Sequence, residues 1–260
     1  MAVKNLNGST ISFEQDDRIS FEESTHTYTV AGLGVFTPVS SVIGKFFAPF
    51  DAMYWSLRKC WGNEVEAERM REQWEANGAQ ASQAGTFMHA TIENYLNGIE
   101  PPTLTCNVTY HGKHIHLDKV VDISREWSFF KKFDQETHYT PFRTEWRIYD
   151  EEKRIAGTID LLCSCDDGTY EIYDWKRSNK INPGEENRWA SGINGLESLT
   201  DTSYSHYCLQ QNLYRHILEK NYGLKISRMN LVVLHPDCGG YKVIPIPRMQ
   251  REVDIIMNSL

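Results

Sequence analysis

Helices placed before, between and after a run of antiparallel strands predict a mixed fold, α/β or α+β, built on a central mixed sheet. Residues 141–176 alternate like three strands joined by short turns. Residues 79–97, 118–137 and 204–221 carry helical periodicity, and strand-like runs at 229–235 and 241–246 follow the last of them.

The elements follow in order. Ile11–Phe13, Arg18–Phe21 and Thr25–Val30 alternate as short strands. Thr37 and Pro38 read as N-cap and first residue of a helix running toward Phe46. Asp51 starts a second helix, which Gly62-Asn63 interrupts before an acidic stretch to Ala76. Residues 79–97 form a third helix stopped by Asn97-Gly98. Pro101-Pro102 opens an irregular, His-rich insertion to about 117, and 118–137 is amphipathic through Val120, Val121, Trp127, Phe130 and Phe133. The meander comes next, with its second hairpin turned at Asp166-Asp167-Gly168. Residues 177–202 are rich in Asn, Gly and Ser and longer than an ordinary connection, which points to a functional loop or a mobile one. A helix from Tyr204 closes at Gly223, and a short helix ends the chain. We expect a single domain over 1–260, with an N-terminal region 1–78, a core 79–260, and insertions near 99–117 and 177–202.

Composition bounds the function. With 40% hydrophobic and 24% charged residues, the chain can bury a full core. It has no apolar run long enough to span a membrane, and no secretory signal pattern. Its six cysteines include no C-x-x-C pair, so a reducing, intracellular compartment is expected. The net charge of −8 argues against a protein that coats nucleic acid non-specifically, but not against an enzyme whose carboxylates are offset by metal ions.

The chemistry concentrates on the second and third strands of the meander. Gly157-Thr-Ile-Asp160 sets a carboxylate in an otherwise apolar strand, and Glu171-Ile-Tyr-Asp174-Trp-Lys176 sets Asp and Lys two apart on the next. Alternation puts Asp174 and Lys176 on one face, which Asp160 can reach across the hairpin. Such a group is costly to hold without a purpose, and a hard divalent cation supplies one. A cross-strand salt bridge is the plainer reading of these residues alone. Gly85, His89 and Glu93 stand four apart on one helical face, with a small Gly that would let the helix sit close to a sheet. Taken alone, His89 reads as a hydrogen-bonded core histidine. Gln210 and Tyr214 form an amide–phenol pair one turn apart.

Together these motifs resemble the PD-(D/E)XK nuclease superfamily, and within it the RecB-like exonuclease branch, over residues 79–246 or so. The resemblance implies a restriction-endonuclease-like core and a Mg²⁺- or Mn²⁺-dependent DNA nuclease. It would be an exonuclease on single strands or strand ends, with replication or recombination proteins as partners. It also implies that Asp160, Asp174, the Trp175 carbonyl and His89 hold one or two ions, that Lys176 assists catalysis, and that Gln210 and Tyr214 position Lys176 or the strand. A structure-specific endonuclease and a non-catalytic nucleic-acid-binding module are the alternatives. Glu145 is either a further acidic neighbour of the metal or an ion-pair partner of Arg143 or Arg147. Arg177, Lys180 and Arg188 are candidate backbone contacts, and Trp189 a candidate base-stacking residue or loop anchor. Thr37–Ser41 is a helix start that caps or meets phosphate.

Other clusters are weaker. Cys106, His111, His114 and His116 fit no standard zinc spacing, and Cys163 and Cys165 read as core thiols. The cysteine pattern lacks the C-terminal cluster of an iron–sulfur variant, and no Gly-x-x-x-x-Gly-Lys motif marks a helicase motor.

Overall fold

The meander is β6 (Thr140–Asp150), β7 (Ile155–Ser164) and β8 (Tyr170–Lys176), antiparallel throughout. The computed structural model describes residues 4–184, 186–187 and 189–260. They fall into two compact units, one of residues 1–48, 136–233 and 242–260, the other of 49–135 and 234–241.

In the first unit the meander belongs to an eight-stranded mixed sheet. β1 (Ile19–Glu22), β2 (Thr27–Val30) and β3 (Gly34–Pro38) run antiparallel, and β3 joins β7 in parallel through Thr37 and Pro38. On the other side β8 pairs in parallel with β9 (Ile226–Val233), which pairs antiparallel with β10 (Lys242–Pro245). Tyr28, Val30 and Phe36 bury against Tyr149 and Ala156, so the N-terminal strands share the meander's core. Three helices complete the unit: α1 (Val39–Gly44), α5 (Ser203–Asn221) and α6 (Gln250–Asn258).

α5 packs against α1, α6, β6 and β9. Leu209, Leu213, Ile217 and Leu218 are wholly buried, each contributing about 1.5–3 kcal/mol over an exposed position. A helix enclosed this far also buries polar side chains, and these need partners. Asn212 donates to the Cys208 and Pro247 carbonyls and accepts from the Met249 amide. Thr202 caps the helix by accepting from the Ser205 amide.

The second unit holds α2 (Ala52–Lys59), α3 (Glu64–Leu96), the hairpin β4 (Thr105–His111) and β5 (His116–Asp122), and all but the last residue of α4 (Ser124–Glu136). Asp51 and Asn63 cap α2 and α3 through their side chains.

The structure corrects several sequence expectations. The acidic stretch and the helix at 79–97 are one helix of 33 residues, since a lone Gly78 costs only about 1 kcal/mol against Ala. The boundary at 78/79 therefore falls inside α3. The insertion at 99–117 is largely the β4–β5 hairpin, and Val120 and Val121 belong to β5, not to the helix that follows. Thr37 and Pro38 are the last residues of β3, and α1 starts at Val39 with no side-chain cap. Residues 11–13 form no strand. All six cysteines are free thiols. Among the described residues, no helix is long and apolar enough to cross a membrane.

Candidate functional site

Two strands part at the residues singled out by the sequence. β7 and β8 pair only from Leu161↔Tyr173 to Ser164↔Tyr170, and beyond Tyr173 β8 follows β9 alone as far as Lys176↔Val233. β3 takes up the same edge of β7 only at Ile155 and Ala156. Residues 157–160 thus line a fork in the sheet. Extending the ladder by one pair sets Asp160 opposite Asp174. Asp160 bridges the fork, its Oδ2 accepting from the Trp175 N–H at 2.8 Å. The N–H and C=O of one strand residue point to the same edge, so the Trp175 carbonyl also opens onto the fork.

From β6, Glu145 lies opposite Asp160, between the pairs Thr144↔Leu161 and Trp146↔Ile159. Its φ of 42° is left-handed, uncommon for a residue other than glycine, and twists the strand there. Glu145 and Asp160 each offer a carboxylate oxygen, the two lying within 4.8 Å of each other. Arg143 turns elsewhere. It is 1% exposed, pairs with Asp16 at 2.8 Å and donates to Asn5 at 2.8 Å.

Asp174 is buried between two donors. Lys176 Nζ lies 2.6 Å from its Oδ2, and Gln211 Nε2 donates to its Oδ1 at 2.8 Å. The Lys176 ammonium also sits 4.4 Å from the centroid of the Tyr207 ring. Burial works to lower the pKa of Lys176, but the charges of Asp174 and Asp160, with Tyr207, outweigh it and raise the pKa above the ordinary lysine value. Trp175 points into the core, 1% exposed, as strand alternation requires.

Gln210 donates to the Tyr214 hydroxyl at 3.0 Å. Burial, then the fields of Tyr28, Asp174 and Asp160, hold the Tyr214 phenol well above its ordinary range. The ring lies over Gly157, where an added Cβ would stand 2.3 Å from Tyr214 Cε1. Beside Tyr207, a cavity of about 350 Å³ is lined by Asp201, Thr202, Ser203 and His206. There His206 pairs with Asp201 at 2.8 Å and stacks on Phe47 at 4.0 Å.

The first unit therefore gathers Glu145, Asp160, Asp174, Trp175 and Lys176 at the fork, with Gln210 and Tyr214 on α5 beside it. His89 and Glu93 stand one turn apart and half-buried on α3 of the second unit. Arg177 is half-buried, Lys180 exposed and Trp189 almost fully exposed, while Arg188 lies outside the described residues. Sequence reasoning passed over Gln211 and Tyr207, the two α5 residues that touch Asp174 and Lys176. Their spacing of four, with Tyr214 three further on, is the signal that sets them on one helical face.

No family model and no curated protein matches the chain. A solved structure described as "Crystal structure of SSO0001" is similar over 85% of this chain and 72% of that one, at 12% identity and a TM-score of 0.34. A likeness that distant carries no argument about function.

Proposed function

We propose that this chain is a metal-dependent DNA nuclease of the RecB-like kind, an exonuclease acting on single strands or strand ends. The reading is carried by the strand fork, where Glu145 and Asp160 from one side meet Asp174 and Lys176 from the other. The Glu145 and Asp160 carboxylates, with oxygens within 4.8 Å of each other, are hard donors that suit Mg²⁺ or Mn²⁺, and Asp174 on the neighbouring strand would add a third. Asp160, Asp174, Glu145 and the Trp175 carbonyl would hold the ion, and the family resemblance adds His89. Such a cation supplies Lewis acidity toward a phosphoryl oxygen and toward an attacking water.

The chain's own residues do the rest. Trp175 N–H fixes the orientation of Asp160, and Gln211 and Lys176 fix that of Asp174. Lys176, held 2.6 Å from Asp174, brings a positive charge to the fork that would steady a developing phosphoryl oxyanion. Gln210 and Tyr214 brace the sheet from α5. The cavity beside Tyr207 gives a nucleotide room next to the lysine.

The test is digestion of end-labelled linear single-stranded DNA with Mg²⁺ or Mn²⁺, with EDTA and Lys176→Ala as controls and circular single-stranded DNA alongside. Metal-dependent loss of the linear strand, absent in the variant and sparing the circle, is the expected result. Cutting of both keeps the site and makes the enzyme an endonuclease. DNA binding with no cleavage in either metal would instead mark a non-catalytic binding module.

A further inference from the structure

In the second unit, α2 and its flanks expose large aromatic side chains. α2 buries Ser56 but leaves Tyr54 half-exposed, and Phe50 just before it is 68% exposed. Trp61, just after it, is 97% exposed. Exposing a whole indole costs solvation, and here it also costs backbone. Cys60 is the C-cap of α2, and the Gly62 N–H bonds to the Leu57 carbonyl at 2.8 Å, closing the helix as a Schellman turn. Trp61 then occupies the left-handed position of that turn at φ 51°. Glycine fills such a position with least strain, yet glycine comes one residue later. The fold accepts strain in order to hold an indole in water.

Cations lie against Tyr54 and against the neighbouring Trp55 and Trp74. Arg58 lies 6.0 Å from the Tyr54 ring centroid and 5.6 Å from that of Trp55, and donates to the Tyr54 hydroxyl at 2.8 Å. Lys59 lies 5.6 Å from the Trp74 ring. From Ala52 to Asn63 the chain carries these two cations and no carboxylate. The flanking Asp51 is engaged as the α2 cap. Aromatic faces held open beside fixed positive charge match a strand whose bases are unstacked and whose backbone is anionic.

We propose that α2 and the turn at Trp61 form a stacking platform for single-stranded nucleic acid, with Trp61 taking a base and Arg58 and Lys59 meeting phosphates. The choice of ligand class rests on the nuclease reading; the surface itself does not.

The experiment measures anisotropy of a labelled oligothymidylate in EDTA, where no turnover occurs, on the full chain and its Trp61→Ala and Trp61→Phe variants. Trp61 contributes nothing to the core, so both variants should fold as the parent does. Losing one base stack weakens binding by about tenfold. Trp61→Ala should show that loss, Trp61→Phe should keep most of the affinity, and an abasic oligomer should bind parent and Trp61→Ala alike. Unchanged binding by Trp61→Ala, or an equal loss on the abasic strand, overturns the platform and leaves the patch to a protein partner. Hydrolysis of bis(p-nitrophenyl) phosphate with Mn²⁺ separates the two readings. If the parent hydrolyses neither it nor DNA while the Trp61 effect holds, the nuclease reading falls and the platform stands.

Discussion

Replacing Gly157 by Ala tests the contact between β7 and α5 most sharply. A methyl there would sit 2.3 Å from Cε1 of Tyr214 and 2.9 Å from both its Cζ and hydroxyl oxygen. Ordinary carbon contacts lie at about 3.5–4.0 Å, so the overlap exceeds about 1 Å. The ring is 5% exposed and tied to Gln210, and Gly157 sits opposite Ile148 in the ladder, so neither side yields freely. Overpacking of this kind costs about 1–3 kcal/mol. Trp146 and Trp175, both buried in the same unit, give a fluorescence signal for its denaturant unfolding. Truncating Tyr214 to Ala costs about 3–5 kcal/mol alone but opens the space the methyl needs. The double variant should therefore cost less than the sum by more than about 0.5 kcal/mol. If Gly157→Ala leaves the unfolding midpoint in place, or if the two costs simply add, the close approach described here is not what the glycine serves.

Other predictions follow from the same unit. Asp160→Asn keeps an oxygen for the Trp175 N–H but loses the charge, so the fold should persist while Mn²⁺ affinity by calorimetry drops at least about tenfold; undiminished affinity would remove Asp160 from the ligand set. Gln211→Leu strips Asp174 of a buried donor and should cost about 1–3 kcal/mol of stability in the same unfolding assay, a neutral result showing that the bond holds nothing. Burial pushes the Cys208 thiol up to about 11, only partly offset by a hydrogen bond with Tyr204. The unfolded thiol ionises near 8.5, so as pH rises from there toward about 11 the unfolded state has lost its proton while the fold retains it, and stability falls by up to about 1.4 kcal/mol per pH unit. Cys208→Ala should flatten that slope, and parallel pH profiles for parent and variant would contradict the assignment.

How much of this was legible beforehand depends on range. The meander could be read because each strand alternates and each turn is local: the Gly168 hairpin, at φ 78°, needs only its own residues. Asp160, Asp174 and Lys176 came with it, since strand periodicity alone sets their shared face. The fork itself was not visible. It arises because β7 stops pairing with β8 at Tyr173 while β8 runs on along β9, a partner more than fifty positions along the chain by the Trp175↔Val232 pair, and no local pattern records that divergence. Gln211 was missed for a related reason. α5 is buried on nearly every side, so polarity no longer marks its outward face and adjacent Gln210 and Gln211 look equivalent. The β4–β5 hairpin was read as an irregular, His-rich insertion opened by Pro101-Pro102, although Cys106, Val108 and Tyr110 alternate along β4. The acidic stretch to Ala76 and the helix at 79–97 were read apart, whereas α3 runs on through Asn77 and Gly78 at a cost of about 1 kcal/mol for the glycine.

The pairing of β8 with the distant β9 also has a consequence for synthesis. β8 leaves the ribosome before α5 and β9 exist, with its outer backbone groups unpaired. Roughly 50 residues separate Lys176 from Ile226, which at about 5–20 residues per second is an interval of about 3–10 s. For that time the nascent meander presents a bare strand edge able to pair with another chain, and Asp174 lacks the Gln211 that will hold it. A chain stopped before β9 keeps that edge permanently. It should collect in the insoluble fraction, whereas the full-length chain closes the edge on itself.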